Sequence, residues 1–98
     1  MCMEWRVESE EQAERIVSEL GRRRRELLGK DVEIERRYPR LSAGYRGRLT
    51  DIQEREGKLF LNVETGPGEV RSFLVGSREP KVAKDIVKHI ERTRIKVE

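Results

Sequence analysis

The period of the hydrophobic pattern restricts this chain more than any other feature, and it changes at Gly29. Up to that point Ala13, Ile16, Val17, Leu20, Leu27 and Leu28 recur three and four apart, which gathers them on one stripe of a helix. Ser9 opens the stretch as S-E-E-Q, where a Ser N-cap and a Gln three residues on can satisfy exposed backbone donors. The spacing predicts a helix from Ser9 to about Leu28, capped by Gly29, with Gly21 as a weak point where it bends or stops early.

Beyond Gly29 the period falls to two. Val32 and Ile34 alternate with Asp31, Glu33 and Glu35, and Pro39 ends that strand. A loop leads to a second strand over residues 45–54, and Gly57 turns the chain into "KLFLNVE", with Leu59, Leu61 and Val63 on one face. A Pro67-Gly68 turn follows, in which Gly68 takes positive φ. The next strand, residues 70–76, has no clear register because Phe73, Leu74 and Val75 run without alternation.

At the ends of the chain, "MEWRVE" alternates as a short edge strand, and "RIKVE" closes as a strand with Ile95 and Val97 inward. Between them Pro80 starts a second amphipathic helix on Val82, Ala83, Ile86, Val87 and Ile90. The order β-α-β-β-β-β-α-β predicts an α+β fold: a strongly bent antiparallel sheet with N-terminal and C-terminal amphipathic helices. At 98 residues the chain has room for one core, so residues 1–98 form a single domain.

Only 35% of the residues are hydrophobic and 42% are charged, so the core must be small and built from well-placed Val, Ile and Leu. Abundant Glu, Lys and Arg with one Asn and two Gln is the composition of surface ion-pair networks, and we expect a thermophilic, archaeal source. Cys2 cannot form an internal disulfide, and no apolar run is long enough for a membrane span or signal core, so a cytoplasmic protein without a membrane partner is expected.

Catalytic patterns are missing. There is one His, His89, and no nucleophile elbow, P-loop or metal-ligand spacing, which points away from an enzyme, a metal or a cofactor. The glycines of "GPGE" precede a strand, where no helix N-terminus can hold an anion.

The charge order carries more than the net charge of +3. Acidic and basic blocks alternate, and the stretch "ERRYPRLSAGYRGRL" holds five arginines, two tyrosines and no acid after Glu35. Two readings stand. Glu33 and Glu35 can pair across strands with Arg46 and Arg48, leaving a laced surface. Alternatively Arg36, Arg37, Arg40, Arg46 and Arg48 contact phosphates along a strand-loop-strand edge, with Tyr38 and Tyr45 stacking on unpaired bases.

In "LLGKDVEIE", "YRGRLTDI" and "GKLFLNVE" the chain resembles the Sm-like small β-barrel proteins. Tyr45, Gly47, Leu49, Asp51, Leu59, Leu61 and Val63 stand where that family has an aromatic, a Gly, a Leu, an acid and then an apolar strand. The match covers residues 28–63, and the family's Arg-Gly pair on its last hairpin has no counterpart in "VRSFLVGSREPKV". Through "LLGKDVEIE" and "PRLSAGYRGRLTD" the chain also resembles the archaeal ribonuclease P subunit with an Sm-like barrel. These resemblances imply a small SH3-like or Sm-like barrel, RNA as ligand and assembly of copies. The expected function is non-catalytic binding of RNA or another nucleic acid. The alternative is a structural or protein-interaction module, homo-oligomeric, with its arginines in ion pairs.

Overall fold

The computed structural model describes residues 2–98. Strand β1 (Met3–Val7) leads into helix α1 (Glu10–Arg22), which begins where the capping residues direct. Ser9 Oγ accepts from the Gln12 backbone N–H at 3.2 Å, and the Gln12 side chain accepts from the Glu8 N–H at 2.7 Å. The predicted stripe Ala13, Ile16, Val17 and Leu20 is buried. The helix ends just after Gly21, and a separate turn, α2 (Arg24–Leu27), carries Leu27 into the core before Gly29 reverses the chain. The described residues therefore form three helices, the extra one arising from the break near the predicted weak point.

Strands β2 (Asp31–Arg37), β3 (Ser42–Arg55), β4 (Lys58–Gly66) and β5 (Glu69–Ser77) form an antiparallel meander. Helix α3 (Pro80–His89) starts at Pro80 as expected, and β6 (Arg92–Val97) returns to pair with β2 on one side and β1 on the other. The six-stranded sheet has the order β1-β6-β2-β3-β4-β5, every pairing antiparallel. The sheet is open, because β1 and β5 are its two edges and do not pair. The α+β fold with an antiparallel sheet and terminal helices is as expected, and the sheet does not close into a barrel.

The bend lies in β3. Its first half pairs with β2 through Arg48, and its second half pairs with β4 from Arg48 onward, with a bulge between Leu49 and Asp51. Gly47 sits at this corner. A Cβ there would stand 2.1 Å from the Glu64 carbonyl oxygen, so only glycine lets the two strands cross so closely.

The curled sheet wraps α1, which packs against both edge strands. A Cβ on Gly76 would lie 2.4 Å from the Ala13 carbonyl oxygen, so the helix rests directly on the β5 backbone. Leu59 faces Gly76 and Phe60 faces Leu74, leaving Val75 without a partner opposite. Burial alternates through Phe73, Leu74 and Val75, and the bulge breaks it only after Val75, where Gly76 is buried as well. The core gathers between sheet and helices from Leu20, Leu27, Ile34, Leu49, Leu59, Leu61, Val63, Val75, Ile95 and Val97.

Candidate functional site

Strand parity sends Val32, Ile34 and Arg36 inward and Asp31, Glu33, Glu35 and Arg37 outward. On the outward face the register sets opposite charges beside one another. Glu33 lies between Arg46 of β3 and Lys96 of β6, and Glu35 lies beside Arg94 of β6. Arg46 bonds Glu33 at 3.2 Å and Arg94 bonds Glu35. Arg48 stands across from Asp31 and Glu64 without an ion pair among the described residues. Much of this face is thus laced, although Glu35 pairs with Arg94 and not with Arg48 as one reading of the sequence held.

Two further pairs lie away from it. Hydrogen bonds from Arg78, the nearer at 2.7 Å, hold the Glu54 carboxyl below its ordinary value. Burial pushes Asp51 up, but hydrogen bonds from Arg24 at 2.5 Å, from Gln53 and from the Ile52 N–H more than offset it, and the carboxyl ends below its ordinary value. Both brace the fold.

The charge alternation stops at the end of β2. Arg37 faces Ser42 on one side and Arg92 on the other, so two cations stand directly across from each other. The β2–β3 hairpin then closes over residues 38–41, with the Tyr38 N–H donating to the Leu41 carbonyl at 2.7 Å. At this end lies a cleft of about 450 Å³ lined by Glu35, Arg36, Arg37, Tyr38, Pro39, Arg40, Leu41, Ser42, Arg92 and Arg94. Its one acid, Glu35, is held by Arg94. Among the described residues Arg37, Arg40 and Arg92 have no carboxylate partner. Leu41, 61% exposed, stands at the tip.

Arg36 sits differently from its neighbours. It is 9% exposed, on the helix-facing side opposite Thr93 and Ala43. Its Nη2 donates to the Leu74 carbonyl at 2.7 Å, its guanidinium lies 5.2 Å from the Phe73 ring centre, and its Nε has no partner among the described residues. The side chain bridges β2 to edge strand β5 across the open side of the sheet. Tyr45 also points inward, its ring 4.9 Å from Phe73 with Arg71 against it at 5.5 Å.

The predicted site residues therefore divide. Arg37, Tyr38 and Arg40 meet at the cleft; Arg36 borders it but turns its guanidinium to the inward face, so it is not the phosphate contact expected from the sequence; Tyr45 is engaged inside as well; Arg46 and Arg48 lie further along the outer face. Arg92 and Arg94 were not singled out from sequence, although Arg92, Arg94 and Lys96 share one parity of their strand. His89 is exposed at the end of α3, and no cluster of metal-ligating side chains occurs among the described residues. Among the described residues no helix is long and apolar enough to cross a membrane. No protein-family model, no curated protein and no solved structure matches the chain.

Proposed function

We propose that this protein is a non-catalytic, cytoplasmic RNA-binding domain whose anchor is the arginine cleft at the β2–β3 hairpin. One observation carries the reading: Arg37, Arg40 and Arg92 line one cleft without a carboxylate partner, in a chain whose other arginines on that sheet face are largely matched to acids. Guanidinium forks suit phosphate oxygens, and Tyr38 beside them offers a ring for an unpaired base. Arg46 is spent on Glu33, so we assign it no ligand.

Kinship with Sm-like or SH3-like barrels belongs to the same proposal. The succession of helix, bent strand and apolar strand, with Gly47 at the bend and Leu49, Leu61 and Val63 beneath, supports it.

Fluorescence anisotropy with a labelled single-stranded RNA at low salt tests the reading, with binding that weakens as salt rises. Absence of binding at low salt refutes it. A second reading, a self-associating structural module, is favoured by the arginines that are matched: Arg24, Arg46, Arg78 and Arg94 each bond an acid of their own chain. Light scattering across a salt gradient separates the two, since salt-sensitive oligomers without RNA binding support the second.

A further inference from the structure

The cleft has the dimensions and charge of an end, not of a track. We propose that it recognises a terminal phosphate monoester of RNA, a refinement that rests on the RNA-binding reading above.

The first argument is the surroundings. Running on from the cleft along β2, a phosphodiester backbone would meet Glu35 and Glu33, whose neighbouring cations Arg94 and Arg46 are already bonded to them. In the other direction the hairpin tip, Pro39 to Leu41, walls the cleft. Matched ion pairs offer the chain no free cation next to the cleft on one side, and the backbone turn blocks it on the other. A strand of many phosphates has no path here, whereas one end does.

The second argument is the charge. A diester phosphate carries one negative charge, while a terminal monoester carries about −1.5 to −2 at neutral pH and three acceptor oxygens. Arg37, Arg40 and Arg92 offer three unmatched cations to it. Arg36 also borders the cleft, but its guanidinium turns to the opposite face of β2, onto Leu74 and Phe73, and is not one of these cations. The volume of about 450 Å³ lies in the range of small-ligand clefts, enough for a terminal nucleotide and not for a long segment.

The test uses the whole protein and three versions of one short single-stranded RNA: 5′-phosphorylated, 3′-phosphorylated, and with hydroxyls at both ends. One phosphorylated form should bind at least about tenfold tighter than the hydroxyl form, the effect of one added charge-assisted contact. The R40A/R92A variant should lose that preference and Arg46→Ala should keep it; both alter exposed or half-exposed side chains, and circular dichroism verifies their folding. Equal affinity for all three RNAs overturns the inference and leaves the RNA-binding reading standing. No binding of any RNA overturns both. A preference that survives in R40A/R92A removes the cleft from the assignment. A nucleoside 5′-monophosphate that binds as tightly as the phosphorylated RNA would make the ligand a free nucleotide and overturn the assignment to RNA ends.

Discussion

Gly44 and Gly47 stand three residues apart in β3, and alanine at each should have opposite consequences. A methyl at position 47 would lie 2.1 Å from the Glu64 carbonyl oxygen and 2.8 Å from Val63 Cγ1. Carbon and oxygen on adjacent strands approach to about 3.3 Å at closest, so β3 and β4 would have to part by more than about 1 Å. The obstacle is backbone, which cannot rotate away as a side chain would. Overpacking of this kind costs about 1–3 kcal/mol, and stretching one or two ladder bonds adds about 1 kcal/mol each. The expected loss is therefore about 2–5 kcal/mol, or a fall of about 8–40 °C in the melting midpoint of a domain this size. A methyl on Gly44 meets nothing within 4 Å, and this residue is not among those with positive φ. Gly44→Ala should be neutral or stabilise by up to about 1 kcal/mol, by restricting the unfolded chain. Urea unfolding followed by far-ultraviolet circular dichroism measures both. A Gly47→Ala protein within about 1 kcal/mol of the parent would refute the close-crossing argument, and so would a Gly44→Ala protein equally damaged.

Arg36→Met should change stability by no more than about 1 kcal/mol, because losing the bond to the Leu74 carbonyl and the contact with Phe73 is offset by removing a buried cation and its unsatisfied Nε. Arg36→Ala, which also removes the packed stem, should cost at least about 2 kcal/mol, and equal losses in the two variants would contradict this reasoning. Glu54 and Asp51 have folded pKa values below their ordinary 4.5 and 3.8. Their contribution is present above those values and is lost as pH falls through the lower folded ones. Thermal unfolding in acid should accordingly fall more steeply for the parent than for an E54Q/D51N protein, and parallel acid limbs would oppose the assignment. A double-mutant cycle on Glu33 and Arg46, whose side chain is 82% exposed, should return about 0.2–1 kcal/mol, fading with salt. A coupling that is zero at low salt would remove Arg46 from the laced face.

Much of the fold was legible because local patterns agreed with one another. The S-E-E-Q cap, the stripe from Ala13 to Leu20, the turn at Gly57 and the Pro80 helix start all rest on contacts between near neighbours. The apolar run Phe73, Leu74, Val75 hides its register in the sequence, and the bulge at Val75 and Gly76 is defined only against the partner strand β4. The open sheet likewise depends on which strands become edges.

The site was legible in part. Parity alone separates Arg36, in step with Val32 and Ile34, from Arg37, so the inward turn of Arg36 was written in the sequence. The identity of the unmatched arginines was not, because it depends on β6 returning beside β2 across more than half the chain. That pairing gives Glu35 to Arg94 and sets Arg92 against Arg37.

The most direct measurement compares the binding of single-stranded RNA by the parent, an R37A/R40A/R92A protein and an Arg46→Ala protein over a series of salt concentrations. An anchoring role of the cleft predicts that the cleft variant binds at least about tenfold more weakly and with a shallower salt dependence, while Arg46→Ala follows the parent. Equal binding by the parent and the cleft variant, or a loss in Arg46→Ala as large as that in the cleft variant, would contradict it.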